Sequence, residues 1–388
     1  MRLRHRDGQV IHLSYCTNVH PGEDLAEITA QLDEYAVPVR RLAGGDRLGL
    51  GLWLAAPVAT RLAADPAAVA ALRRDLDERG LEVVTLNGFP YRSFHAPVVK
   101  HAVYRPDWLS QERLDYTIGL ARILAGLLPP DAARGSVSTL PLAWRTPWTA
   151  GHAAAARRRL GELADGLARV HAETGRLVRV AFEPEPGCVI ETTAQAVAEL
   201  SGVNTGYLGV CLDLAHLACA WEQPAAALAR LAAAGLPVVK VQVSAALEAP
   251  APGEAAQAQA LRGYAEPRFL HQTRSAAGPA EDDLPEALQA GMPGPWRVHF
   301  HVPVHAAPQP PLRSTAGVLR ESLRLLAGGD RAVCDHLDVE TYTWSVLPPG
   351  QRPAGPAELA AGIAAELRFT RDELLALGLT EPSAAGAR

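Results

Sequence analysis

The sequence predicts an α/β protein built as a closed (β/α)8 barrel, with a long excursion after the seventh strand. Three observations carry that prediction. Eight short β-type runs alternate strictly with longer helical runs. Parallel strands need crossover helices, and eight such units close a barrel. Most β-type runs are apolar on both faces, as strands are when held between a core and a helix layer. No G-x-G-x-x-G follows the first run, which leaves the runner-up, a doubly wound open sheet, without its main support.

In chain order the strands are expected at 11–16, 48–53, 81–87, 135–140, 178–183, 207–213, 238–243 and 336–340. Helices are expected at 23–35, 66–79, 111–128, 151–174, 193–201, 224–234, 315–327 and 357–377. Their ends carry ordinary start and stop signals: Thr149 as an N-cap, Gly80, Gly175, Gly202, Gly235, Gly328 and Gly378 as terminators, and Pro129-Pro130 after the third helix. The excursion, 244–313, breaks the rhythm. Its stretch 249–258 is rich in Pro, Ala, Gly and Glu and reads as a surface excursion. RFLHQTR (268–274) and WRVHFHVPVH (296–305) do not read as linker, and the second alternates His along a strand. A segment of this length in a compact domain is functional or disordered, here as a lid, an oligomer contact that would make a homodimer, or part of a site. The whole chain, 1–388, is expected to form one barrel domain, with 381–388 as a flexible tail.

Composition excludes several classes. Hydrophobic residues make up 48% of 388, enough for a large core, but aromatics are only 5%, so Ala, Leu and Val must fill it. With 37 basic and 42 acidic residues the net charge is −5, which argues against nucleic acid and an anionic membrane surface as partners. The apolar stretch 48–59 is about half a membrane span, and VIHLSYC near the start is too short and polar for a signal-peptide core. The expectation is a cytoplasmic protein without direct membrane insertion. The five cysteines form no C-x-x-C pair and read as buried thiols.

Reacting groups of such barrels sit at the C-terminal ends of strands. Strand five runs into Phe182-Glu183-Pro184-Glu185, strand six into Asp213-Leu214-Ala215-His216, and strand eight into Val339-Glu340. Alone, each carboxylate could pair with a basic residue or cap a helix. Glu183, Asp213 and Glu340 together at one mouth would repel one another, and a divalent cation resolves that conflict. Oxygen-rich ligation suits Mn²⁺ or Mg²⁺; nearby His admits Zn²⁺, Co²⁺ or Fe²⁺. His216, three residues after Asp213, points to the same rim and could contact substrate. His299 and His301 share a strand face, in a metal or substrate role. Asn18, His20, Asn87, Glu185, His271 and Gln272 stand where substrate oxygens could be held, or serve local turns.

Glu at strand five, Asp-x-x-His at strand six and Glu at strand eight resemble the xylose-isomerase-like TIM barrels, which include sugar isomerases, ketose 3-epimerases, inosose dehydratases and endonuclease IV. In the epimerase branch Glu, Asp, His and Glu from strands five to eight hold one metal, and the two Glu move protons on opposite faces of the substrate. Carried over, Glu183 and Glu340 are ligands and the acid/base pair, Asp213 is a ligand, and His216 is catalytic through substrate contact. Strand seven departs from the pattern: KVQVS places Gln242 where His is expected. Gln242 can donate one neutral oxygen, and His301 or His271 could fill the vacancy. HLSYCTNVHPGE (12–23), LNGFPY (86–91), VYRPDW (103–108), FEPEPG (182–187), CLDLAH (211–216), KVQVSAAL (240–247), LHQ (270–272), WRVHFHVPV (296–304) and VETYTW (339–344) are similar to the EboE "metabolite traffic" family of bacterial ebo gene clusters. That resemblance implies a role in making or exporting a metabolite, with other ebo-cluster proteins as partners.

The expected function is a metal-dependent isomerase or epimerase acting on a polyhydroxylated, sugar- or cyclitol-type ketone through an enediolate. Dehydration is a close variant, because it begins with the same α-proton abstraction. The alternative is a non-catalytic carrier on the same scaffold, motivated by Gln242 and the enlarged excursion. Metal-dependent phosphodiester cleavage usually needs several metals and a basic channel, which the charge disfavours.

Overall fold

All eight expected strands form and close on themselves. In the computed structural model, which describes residues 1–381, they run Val10–Cys16, Leu48–Trp53, Leu81–Asn87, Gly135–Thr139, Val178–Phe182, Leu208–Asp213, Val238–Val243 and His336–Val339. Each pairs in parallel with its neighbours, and the eighth pairs with both the seventh and the first. The observed (β/α)8 barrel is therefore the predicted fold. Glu183 and Glu340 are the first residues beyond their strands, and Asp213 is the last residue of its own.

Helices follow the expected starts and stops within one or two residues at 111–127, 150–174, 193–199, 224–233, 316–327 and 356–376. Thr149 caps its helix by accepting the His152 N–H, and Asp24, Ser110 and Thr192 cap theirs in the same way. The first helix departs from expectation. It does not stop before Pro38 but widens to a π turn over Leu32–Ala36 and continues through Val37–Ala43. The wider turn accommodates a proline that lacks an N–H to donate.

Sequence reading does not find the short helices Ala56–Ala64 and Leu214–Cys219, and two larger features also escape it. Arg2–Arg4 pairs antiparallel with the first barrel strand, and Arg4 exchanges backbone hydrogen bonds with Thr380. Its run of charges hides the strand, but Arg2 lies 2.6 Å from the buried Glu82, which compensates. The excursion, in turn, is not open surface loop. It folds into a five-stranded antiparallel sheet, ordered Ala280–Glu281, Thr273–Ser275, Trp296–His301, Ala246–Ala249 and Arg313–Ser314, with helices Ala255–Arg262 and Leu284–Ala290. The strand expected within 296–305 forms as Trp296–His301, but the others, of two to four residues, carry too little periodicity to be recognised individually. Residues 382–388 of the predicted tail lie outside the described residues.

The barrel interior is more polar than the strand runs imply. Lys240 Nζ lies 2.9 Å from Asp338 Oδ2, both side chains are fully buried, and Ser14 donates to Asp338 Oδ1 at 2.7 Å. Burial opposes the Lys240 charge most strongly, but Asp338, Cys211 and Cys16 together outweigh it and raise the pKa. Gly51 is required beside this pair, because a Cβ there would meet Asp338 Oδ2 at 2.0 Å. All five cysteines are free and buried. Among the described residues no helix is long and apolar enough to cross a membrane.

Candidate metal centre at the barrel mouth

The strand ends bring Glu183, Asp213 and Glu340 to one buried region, and the excursion lays His299 and His301 over it. Asp213 does two things at once. As N-cap of the short helix Leu214–Cys219, its Oδ1 accepts the His216 N–H at 2.9 Å and the Ser244 hydroxyl at 2.8 Å. The spacing Asp-x-x-His follows from that cap: one helical turn carries His216 back over the mouth. The strand Trp296–His301 carries both imidazoles on one face, although its register with Ala246–Ala249 shifts between Val298 and His301.

Tautomers are fixed by what each Nδ1 faces. His216 Nδ1 lies 2.9 Å from the Pro184 carbonyl, and His301 Nδ1 lies 2.9 Å from the Glu340 carbonyl. A carbonyl can only accept, so both nitrogens carry the proton. Gln272 donates its amide to the Pro186 carbonyl and the Tyr104 hydroxyl, both at 2.8 Å. Its oxygen is therefore turned to His299 Nδ1 at 2.8 Å, which must donate. All three Nε2 atoms then present lone pairs. His216 and His299 point theirs at each other across 2.9 Å. Two lone pairs at that distance repel unless a cation or proton lies between them. A carbonyl or amide oxygen behind each imidazole is the usual support of a metal-binding histidine.

The carboxylates tell the same story. Glu183 Oε2, Asp213 Oδ2, His301 Nε2 and both amide atoms of Gln242 are buried without a hydrogen-bond partner. His301 Nε2 lies 3.9 Å from Asp213 Oδ2, and Glu185 Oε2 lies 3.1 Å from His216 Nε2. Burial, then Glu340 and Asp213, push the Glu183 carboxyl well above its ordinary range. Burial and Asp213 raise Glu340 to about 8, against Lys240 beneath it. Burial lowers His216 to about 4 and pulls His299 and His301 down. Neutral imidazoles and crowded carboxylates are what a divalent cation would find favourable. Three overlapping groups, His216/His299/His301, Glu183/Asp213/His216 and Asp213/His301/Glu340, have ligand atoms close enough to hold one. The donor set and its orphaned buried atoms fit a divalent metal.

The remaining predicted residues divide. Asn18 and Asn87 both donate to Glu340 Oε1, at 2.8 and 3.0 Å, and so position that carboxylate. Glu185 accepts from Tyr104 at 2.9 Å and faces the cavity. Gln272 orients His299. The structure does not bring His20 or His271 to the cavity. The turn Thr17–Val19 swings His20 away, to stack on Tyr35 and meet the Tyr15 hydroxyl at 3.2 Å. His271 is satisfied on both nitrogens, by the His299 carbonyl and by Glu266, each at 2.9 Å. Sequence reading missed Tyr104 and Ser244, whose only signals are their places in VYRPDW and KVQVSAAL. It also missed Lys240 inside the barrel.

Above the centre lies a small, partly open cavity of about 50 Å³. Its lower wall is Glu183, Glu185, His216, His299 and Glu340; its upper wall includes Phe89, Phe94, Phe269 and Tyr342.

Comparison with known proteins places the fold. Residues 48–269, more than half of the chain, match a family model described as xylose isomerase-like TIM barrel. No curated protein matches in sequence. Among solved structures, L-ribulose 3-epimerase is similar in fold, with 12% identity, a TM-score of 0.51, and coverage of 95% of this chain and 96% of that one. D-allulose 3-epimerase from Methylomonas sp., in complex with D-allulose, has 14% identity and a TM-score of 0.51, over 96% of this chain and 99% of that one.

Proposed function

Because the chain belongs to the xylose isomerase-like TIM barrel family, we propose that it is a divalent-metal-dependent isomerase or epimerase acting on a sugar- or cyclitol-type hydroxyketone. The observation that carries the reading is the set of three imidazoles with outward lone pairs beside unpaired buried carboxylates. Glu183, Asp213, His301 and Glu340 would hold the ion, His299 would reach it from beside His301, and Gln242 faces the same interior. His301, supplied by the excursion, would take the part that a strand-seven histidine plays elsewhere in the family. The ion supplies Lewis acidity toward a carbonyl and its neighbouring hydroxyl.

The protein's own groups supply the rest. Two amides hold Glu340 Oε1, so its other oxygen takes or returns the proton α to the carbonyl. Glu183, with Oε2 unpartnered, serves the opposite face. His216, fixed by the Pro184 carbonyl and Asp213, contacts a substrate oxygen. The product is an epimer or isomer reached through an enediolate. The phrases shared with the EboE family support a place in secondary-metabolite synthesis or export, with the excursion as cover over the mouth.

The test is exchange of a substrate C–H with D₂O on a panel of hydroxyketones. Metal-dependent exchange, lost in Glu340→Gln while the fold is kept, is the expected outcome. Retention of ligand without exchange in the metal-loaded parent would instead establish a carrier.

A further inference from the structure

The walls above the centre do not suit a molecule with hydroxyls on every carbon. Phe94, Phe269 and Tyr342 form a closed aromatic set, with ring centroids 5.2, 5.6 and 5.0 Å apart. Phe89, Val103 and Leu270 extend the apolar wall. Tyr342 joins it to the centre, its ring 4.8 Å from His301 and 6.3 Å from His299. These aromatics come from three separate loops, in a protein where aromatics are only 5% of residues. Their gathering at the mouth is not a by-product of composition.

Apart from the Tyr342 hydroxyl, polar groups on the upper walls already have partners within the chain. Asn87 donates to Glu340 and accepts the Phe89 N–H at 3.0 Å. The Tyr104 hydroxyl donates to Glu185 and accepts from Gln272. Lys100 pairs with Asp283. Turning the Asn87 or Tyr104 donor hydrogens to a substrate would take a partner from Glu340 or Glu185. On the floor, Asn18 Oδ1 and Glu183 Oε2 are buried without a partner, and Asp213 Oδ2 and His301 Nε2, beside the lining, are too. The cavity thus has a floor short of partners and an aromatic roof.

We propose that the substrate is amphiphilic: a compact hydroxyketone head that meets the floor, joined to an apolar, ring-bearing body that lies against Phe94, Phe269 and Tyr342. This rests on the metal-dependent reading above and narrows its substrate class from a free sugar to a sugar- or cyclitol-type ketone carrying an apolar substituent. Such shape complementarity is how largely preformed apolar pockets with few polar groups select ligands.

The experiment is calorimetric binding to the metal-loaded full chain, with three probes: 2-hydroxyacetophenone, hydroxyacetone and D-fructose. The aryl ketone is expected to bind roughly 30-fold more tightly than hydroxyacetone, the scale set by burying a ring. Fructose should gain nothing over hydroxyacetone. In Phe94→Ala/Phe269→Ala, checked for fold and metal content, the aryl preference should shrink to within about threefold, as the lost ring contacts require. Stripping the metal should weaken the aryl ketone, because its head loses its partner. Equal binding of all three probes, or a preference for fructose, overturns the amphiphilic substrate while leaving the chelating centre standing. A preference that survives the double substitution also overturns it. Binding of none of the three, with metal present, overturns both this inference and the reading beneath it.

Discussion

Two buried charged clusters lie within one barrel, and they differ in how they are resolved. Inside the barrel, Lys240 and Asp338 face each other at 2.9 Å, with Ser14 holding the second carboxylate oxygen. At the mouth, Glu183, Asp213 and Glu340 crowd together with Lys240 as the cation beneath them, and three histidines turn lone pairs inward. The first cluster pairs its opposite charges within the chain. The second leaves Glu183 Oε2, Asp213 Oδ2 and His301 Nε2 without a hydrogen-bond partner. Burial of charge is costly in both, and the difference is what supports the metal proposed for the mouth.

The largest expected effect breaks the paired cluster. Lys240→Met leaves Asp338 buried and uncompensated, and should destabilise the fold by about 3–5 kcal/mol in urea unfolding, whereas Lys240→Met/Asp338→Leu should recover most of that loss. A single substitution without effect would show that the pair is dispensable.

Glu366 gives an internal contrast of a different kind. It is buried against Thr341, Trp344 and the Val304 N–H, and burial raises its carboxyl to about 7. A raised acid keeps its proton in the folded state while the unfolded chain ionises. Stability should therefore fall as pH rises from about 4.5 towards 7, by up to about 3 kcal/mol from this group. Glu366→Gln should flatten that part of the stability curve. An unchanged slope would place the proton elsewhere.

Metal binding at the mouth should be measurable as stability. Mn²⁺, Co²⁺ or Zn²⁺ at a hundred times its dissociation constant should add about 2.7 kcal/mol to unfolding. The Lys240/Asp338 double variant should retain most of that increment, because its change lies below the centre.

The smallest effect sharpens the tautomer argument. Gln272→Leu removes the acceptor behind His299 Nδ1 and should weaken metal binding about 10- to 100-fold in competition with a chromophoric chelator. Retained affinity would mean that His299 takes no part in holding the ion.

The barrel was legible because its signals are local and repeated. Strand runs such as 48–53 and 81–87, and stops such as Gly175, recur once per unit. The carboxylates were legible because each lies at a strand end. The alternation of His299 and His301 was legible as a shared face. What the sequence does not display is three-dimensional. The excursion's sheet pairs residues up to 67 apart, as Ser314 does with Leu247 at one edge, a separation beyond any local period. Nothing in LHQ says that Gln272 faces His299 or that His271 is held by Glu266. His20 stands close in sequence to the first strand's end, yet one tight turn removes it from the mouth.

The account rests on the mouth cluster being a metal centre. The direct measurement is metal content by plasma mass spectrometry on the purified protein, beside a Glu183→Gln/Asp213→Asn/Glu340→Gln variant, with reconstitution from added Mn, Zn, Co, Fe or Mg where the parent is empty. The account predicts near-stoichiometric metal in the parent and loss of it in the triple-amide variant. A parent that takes up none of these ions would contradict it, as would a variant that binds them as well as the parent.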